Sequence, residues 1–135
     1  MNKLKLTIQS FSYKNGIPKD MSGNGGGFVF DCRGIYNPGR MEKHKTKTGL
    51  DPEVIEFLEN ETKMTLFLTS IQEIVDLTIE NYIERGFSHL QIAFGCTGGQ
   101  HRSVYATEKM TDYLSQQFPM IQIEKEHLNK GNWVI

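Results

Sequence analysis

A short apolar run, Leu90-Gln-Ile-Ala-Phe94, passes through Gly95 and the octet Cys96-Thr-Gly-Gly-Gln-His-Arg-Ser103 straight into a helical pattern. In that pattern Val104, Thr107, Met110 and Leu114 share one side, and Pro119 closes it after Phe118. A buried strand joined by one short loop to an amphipathic helix is the building unit of α/β folds. It argues against both a helical bundle and an all-β sandwich.

The rest of the chain is consistent with that unit. Leu4, Leu6 and Ile8 alternate with polar residues, which predicts a half-buried strand. Phe11 and Tyr13 fall on the other parity, which predicts a bulge or twist. Phe28 to Cys32 reads as a second strand. Asp51-Pro52 marks a helix start, with Asp at the cap and Pro in the first turn. The longest helix runs from about Leu66 to Arg85 on the 3–4 spacing of Ile71, Ile74, Val75, Thr78, Tyr82 and Ile83. Gly86 stands where a left-handed C-terminal residue belongs. Met120 to Ile123 returns as a strand. The expected architecture is a single-domain α/β sandwich over residues 1–135, with a mixed, partly parallel sheet and helices packed on it.

Composition bounds the function. A chain of 135 residues makes one domain and can bury about two-thirds of its unfolded surface without metal or disulfide staples. Apolar residues at 38% and aromatics at 10% exclude a disordered tail. No window approaches the ~20 apolar residues of a membrane span, and the N-terminus lacks the pattern of a secretion signal. Two cysteines imply no disulfide framework, so a reducing cytoplasm is expected. A net charge of −1 excludes a generally basic nucleic-acid binder. There is no paired-His or Cys-x-x-Cys spacing, and neither a metal nor a cofactor is expected. His44 and His89 read as surface residues.

Charge is unevenly spread. Arg33, Arg40, Lys43, Lys45 and Lys47 face only Glu42 between residues 33 and 47, whereas residues 51–61 hold acids and no base. This is either two solvated surfaces sorted by sign or a basic loop beside an anion site. Residues 20–27 and 37–50 read as long loops, of the kind that are functional or disordered.

The octet carries the chemistry. Loops at the carboxyl ends of strands bind ligands in α/β sheets, and a helix start offers free amides and a partial positive charge. Gly98 and Gly99 let the backbone approach an oxyanion, and Thr97 and Ser103 add hydroxyl donors. Arg102 adds a planar fork suited to phosphate. As a surface arginine opposing its own helix dipole, Arg102 should matter to affinity and little to stability. Gly99→Val should abolish anion binding by blocking backbone approach and by demanding a φ that a side chain disfavours. Cys96 followed after five residues by Arg102-Ser103 also has the spacing of a phosphotyrosine-phosphatase loop, with Cys96 as nucleophile and Arg102 as clamp. However, Gly95 stands where that signature has His. Asp31 and Arg33 close the second strand, either as a structural ion pair or at the mouth of the anion pocket.

Several segments together, Ser10-Phe-Ser-Tyr-Lys-Asn-Gly-Ile-Pro18, Val29-Phe-Asp-Cys-Arg33, Asn37-Pro38, Thr48-Gly-Leu-Asp-Pro-Glu-Val-Ile55 and Gly95 to Ser103, resemble the C-terminal domain of the RapZ family in order and spacing. Full-length members resemble RNase adapter proteins with an N-terminal P-loop domain that binds ATP or GTP. The resemblance implies a domain that senses a phosphorylated amino sugar, glucosamine 6-phosphate, contacts RNA, and acts through a protein partner. It implies a pocket built from Thr97, Gly98, Gly99, Gln100, His101, Arg102 and Ser103, with Asp31 and Arg33 nearby. The chain departs from the family in having no P-loop motif, in carrying Gly39-Arg40 after Asn-Pro, and in having no Arg/Lys-rich run in residues 124–135. The sugar-phosphate pocket therefore transfers better than RNA binding or nucleotide hydrolysis.

Overall fold

The computed structural model describes residues 4–135. Its strands are β1 (Lys5–Ser12), β2 (Gly27–Asp31), β3 (His89–Cys96) and β4 (Gln122–His127), and its helices are α1 (Pro52–Glu61), α2 (Met64–Arg85) and α3 (Arg102–Gln117). The sheet order is β2-β3-β1-β4, and all three pairings are parallel. The α/β sandwich is as expected, but the sheet is parallel throughout rather than mixed. Every strand-to-strand connection crosses over: β2 to β3 through α1 and α2, β3 to β4 through α3, and β1 to β2 through the irregular segment 13–26.

Leu4, Leu6 and Ile8 share a core with Leu90, Ile92 and Phe94 of the neighbouring strand. Leu68, Ile71, Val75 and Ile79 of α2 and Ala106, Met110 and Leu114 of α3 close that core. The predicted bulge in β1 is absent: its register with β3 is one-to-one from Lys5↔His89 to Ser12↔Cys96. Phe11 changes parity because the other side of the sheet is also covered there. It is buried, packs edge-to-face on Tyr13 with ring centroids 4.9 Å apart, and leaves no room for a side chain at Gly95.

Local signals place the helices well. Pro52 opens α1, but the Asp51 carboxylate turns back to accept from the Thr48 amide at 2.7 Å instead of capping the helix. Gly86 ends α2 in the left-handed region at φ +72, its amide bonded to the Ile83 carbonyl. The last strand is displaced from the expected 120–123 to Gln122–His127. It is a polar edge strand paired only through β1, so no apolar alternation announces it. All three helices precede or follow strands that point their carboxyl ends the same way. The ends of β1, β2 and β3 therefore meet at the start of α3, which places the octet at the functional end of the sheet.

Candidate functional site

Four consecutive carbonyls of the octet are taken by donors from three other parts of the chain. Ser12 Oγ donates to the Thr97 carbonyl at 2.6 Å, and Asn129 Nδ2 to Gly98 at 2.7 Å. Trp133 Nε1 donates to Gly99 at 2.8 Å, and the Gly49 amide to Gln100 at 2.9 Å. In a trans peptide the carbonyl and the following N–H point opposite ways, and no peptide among the described residues is cis. Drawing those carbonyls outward turns the amides of Gly98, Gly99, Gln100 and His101 the other way, next to the free amides of the first turn of α3. A run of amides with a helix start behind it is an arrangement that can hold an anion.

The glycines serve this arrangement from the protein side. Gly99 sits at φ +61, and a Cβ there would lie 3.0 Å from atoms of both Ser12 and Asn129. The left-handed φ expected of this glycine is present, and the loop is in addition pressed against β1 and the 129 turn, so a side chain there is disfavoured from the protein side as well. Gly49 is pressed harder, since a Cβ would fall 2.4 Å from the His101 carbonyl and 2.5 Å from the Tyr105 amide.

Beside the loop lies a cleft of about 410 Å³ lined by Arg33, Gly34, Ile35, Tyr36, Asn37, Arg40, Thr97 and Arg102. Three guanidiniums and no carboxylate face it. Arg102 is not the surface residue expected from sequence, being only 5% exposed. It donates from Nη1 to the carbonyls of Ile35 at 2.7 Å and Arg33 at 3.1 Å, while its buried Nε has no partner among the described residues. Nη1 thus holds the 33–35 turn against α3, while the side chain also lines the cleft. Of the two sequence readings of Asp31 and Arg33, the structural ion pair is realised. The two side chains form a two-pronged ion pair, with Nε to Oδ1 at 2.9 Å and Nη2 to Oδ2 at 2.8 Å. The hydrogen bonds from Arg33 hold the Asp31 carboxyl below its usual range. The Arg33 guanidinium also stacks 3.7 Å over the Tyr13 ring and still lines the cleft; Asp31 does not line it.

The remaining octet residues face inward. Gln100 spends its amide on main chain, donating to the carbonyls of Lys47 at 2.8 Å and Val134 at 2.9 Å and accepting from the Val134 amide at 2.9 Å. His101 donates from Nε2 to the His44 carbonyl at 2.8 Å, and burial pushes its pKa down, favouring the neutral ring. Ser103 accepts from the Cys96 thiol at 3.1 Å. Cys96 is buried and does not line the cleft. Its neighbour Cys32 is fully buried, which pushes that thiol well up.

The 37–50 loop is ordered in two short turns packed on the start of α3, and its His44 is buried rather than exposed. Its basic residues are partly neutralised: Lys45 pairs with Glu42 at 2.9 Å and Lys47 with Glu53 at 2.8 Å. The basic-loop alternative thus reduces, at the cleft, to Arg33 and Arg40.

Residue type and spacing alone do not mark Tyr36, Asn37 and Arg40 as cleft residues, nor Ser12, Asn129 and Trp133 as supports of the loop. Only Asn37-Pro38 and the basic run offered a sequence signal for the first three. No helix among the described residues is long and apolar enough to cross a membrane, and no cluster of His, Cys, Asp or Glu among them has the makings of a metal site.

A family model described as the RapZ C-terminal domain matches residues 4–130. The chain belongs to the RapZ C-terminal domain family. It is 39% identical over 114 residues to a nucleotide-binding protein of Endomicrobium trichonymphae, which covers 84% of this chain and 38% of the relative. It is 38% identical over 129 residues to a nucleotide-binding protein of Pseudoalteromonas atlantica, covering 96% and 44% respectively. A nucleotide-binding protein of Acetivibrio thermocellus is 38% identical over 125 residues, covering 93% and 41%. This RapZ-type domain spans about two-fifths of the length of these relatives, and their nucleotide-binding name describes the longer proteins.

Proposed function

We propose that this RapZ-type domain binds a phosphorylated amino sugar of the glucosamine 6-phosphate class and signals its occupancy to a protein partner in the cytoplasm. The observation that carries the proposal is that the carbonyls of residues 97–100 are all taken by donors elsewhere in the chain, in a loop whose Thr97 and Arg102 line a cleft that also bears Arg33 and Arg40. The phosphate is received by the loop amides, the Thr97 hydroxyl and the Arg102 guanidinium at the cleft. The sugar ring extends along Tyr36, which is 79% exposed at the cleft, and Asn37 supplies a polar partner for its hydroxyls. Free Cys32 and Cys96 suit a reducing compartment. The inward-facing Cys96 thiol gives the phosphatase alternative no observation in its favour.

Calorimetric titration with glucosamine 6-phosphate, glucosamine and inorganic phosphate tests this reading. Binding of the sugar phosphate, weaker binding of phosphate and none of glucosamine is the expected order. Equal binding of glucosamine and its phosphate would overturn the anion cradle as the recognition element.

A further inference from the structure

The segment after β4 grips the octet from its carbonyl side. Asn129 holds the Gly98 carbonyl, Trp133 holds Gly99, and Val134 is bonded through both its amide and its carbonyl to the Gln100 side chain. Asn129 is itself fixed, since its Oδ1 accepts from Asn15 at 2.8 Å and from Asn132 at 2.9 Å. The Trp133 ring rests 5.7 Å from the ring of His127. The cleft, by contrast, is lined by the octet's flanking residues Thr97 and Arg102. The family match ends at residue 130, so the grips from Trp133 and Val134 lie outside it.

We infer that residues 129–134 form a strap that positions the anion loop, and that occupancy of the loop and docking of the strap stabilise one another. The inference rests on the anion-site reading above. The physical basis is the rigidity of the peptide plane. A donor holding the Gly98 and Gly99 carbonyls sets the direction of the Gly99 and Gln100 amides, so an undocked strap leaves those amides free to rotate away from an anion. An anion that needs the amides aligned must favour the docked strap by the same factor, because coupling of two binding events is reciprocal. The strap is therefore an element through which occupancy of the cleft can be passed to whatever contacts residues 129–135. Asn129 and Trp133 are positioning residues and touch no ligand.

The test uses the full chain, Trp133→Phe and Asn129→Ala, with inorganic phosphate as probe. Trp133→Phe keeps an aromatic ring against His127 and removes only the donor to Gly99, so it decides the matter should Asn129→Ala fail to fold. Amide order parameters should fall at Gly99 and Gln100 in Trp133→Phe. The phosphate Kd should rise by about three- to tenfold, in line with one lost hydrogen bond. In the unmutated chain, saturating phosphate should slow exchange of the Trp133 indole proton. Unchanged order parameters and Kd in Trp133→Phe would overturn the positioning role. Indole exchange indifferent to saturating phosphate would overturn the linkage. An unmutated chain that binds no phosphate overturns the anion-site reading and the linkage with it, while the order parameters still decide whether the strap positions the loop.

Discussion

Arg102→Ala should damage both stability and binding. The side chain is 5% exposed and donates to two backbone carbonyls, those of Ile35 and Arg33. A hydrogen bond from a charged donor is worth about 1.5–3 kcal/mol, and removing it leaves a buried acceptor unsatisfied. Some water enters from the cleft to rescue those carbonyls, so the lower end of the summed range, about 3 kcal/mol, is the expectation. For a domain of this size that lowers the melting temperature by roughly 10 °C. Affinity for a sugar phosphate should fall by roughly ten- to a hundredfold from the lost charge-assisted contact, after correction for any unfolded fraction. Arg102→Lys should restore part of the binding and little of the stability, since an ammonium cannot serve two carbonyls and an anion with one planar fork. Thermal melts without ligand, followed by calorimetry well below the melting point, separate the two effects. A melting temperature within 2 °C of the unmutated chain in Arg102→Ala would show that the ties to residues 33 and 35 contribute nothing, and would refute the reasoning.

Arg40 lines the same cleft but is exposed, so Arg40→Ala should weaken sugar-phosphate binding about two- to fivefold with no change in melting temperature, the weakening being smaller at high salt. Gly49→Ala should be strongly destabilising, because the added carbon meets main chain at 2.4 and 2.5 Å; denaturant titration should show a loss of about 2–4 kcal/mol. His101 is held neutral in the folded chain, its pKa pushed below 6.5 by burial. The unfolded chain therefore binds the proton more readily, and stability that is full above that value is lost as pH falls through it. Melting temperatures at pH 7.5 and pH 5.5 should differ less in His101→Gln than in the unmutated chain.

The strand–loop–helix unit was legible because its signals are local. An apolar run, two glycines and a 3–4 spacing all lie within thirty residues of one another. The role of the octet's side chains was harder to read. Gln100 and His101 looked like ligand residues by type, yet they bind the main chain of residues 44–47 and 134, because the 37–50 loop lies across the start of α3. Nothing in the spacing of one segment announces what another will cover. Arg102 looked exposed for the same reason, its partners being carbonyls some 67 to 69 residues away. Asn129 and Trp133 left no periodic trace, since each acts through a single side-chain donor to a backbone oxygen. The last strand was misplaced because a polar edge strand takes its stability from the ladder with β1 rather than from an apolar face.

The central claim is that the outward-held carbonyls of residues 97–100 leave their amides to an anion. The most direct measurement is a proton–nitrogen correlation titration of the isotopically labelled chain with glucosamine 6-phosphate. The account predicts saturable shifts centred on the amides of Gly98 through Val104 and on the side-chain Nε–H of Arg102, with glucosamine moving none of them. Shifts confined to other parts of the chain, or the same shifts produced by glucosamine, would contradict it.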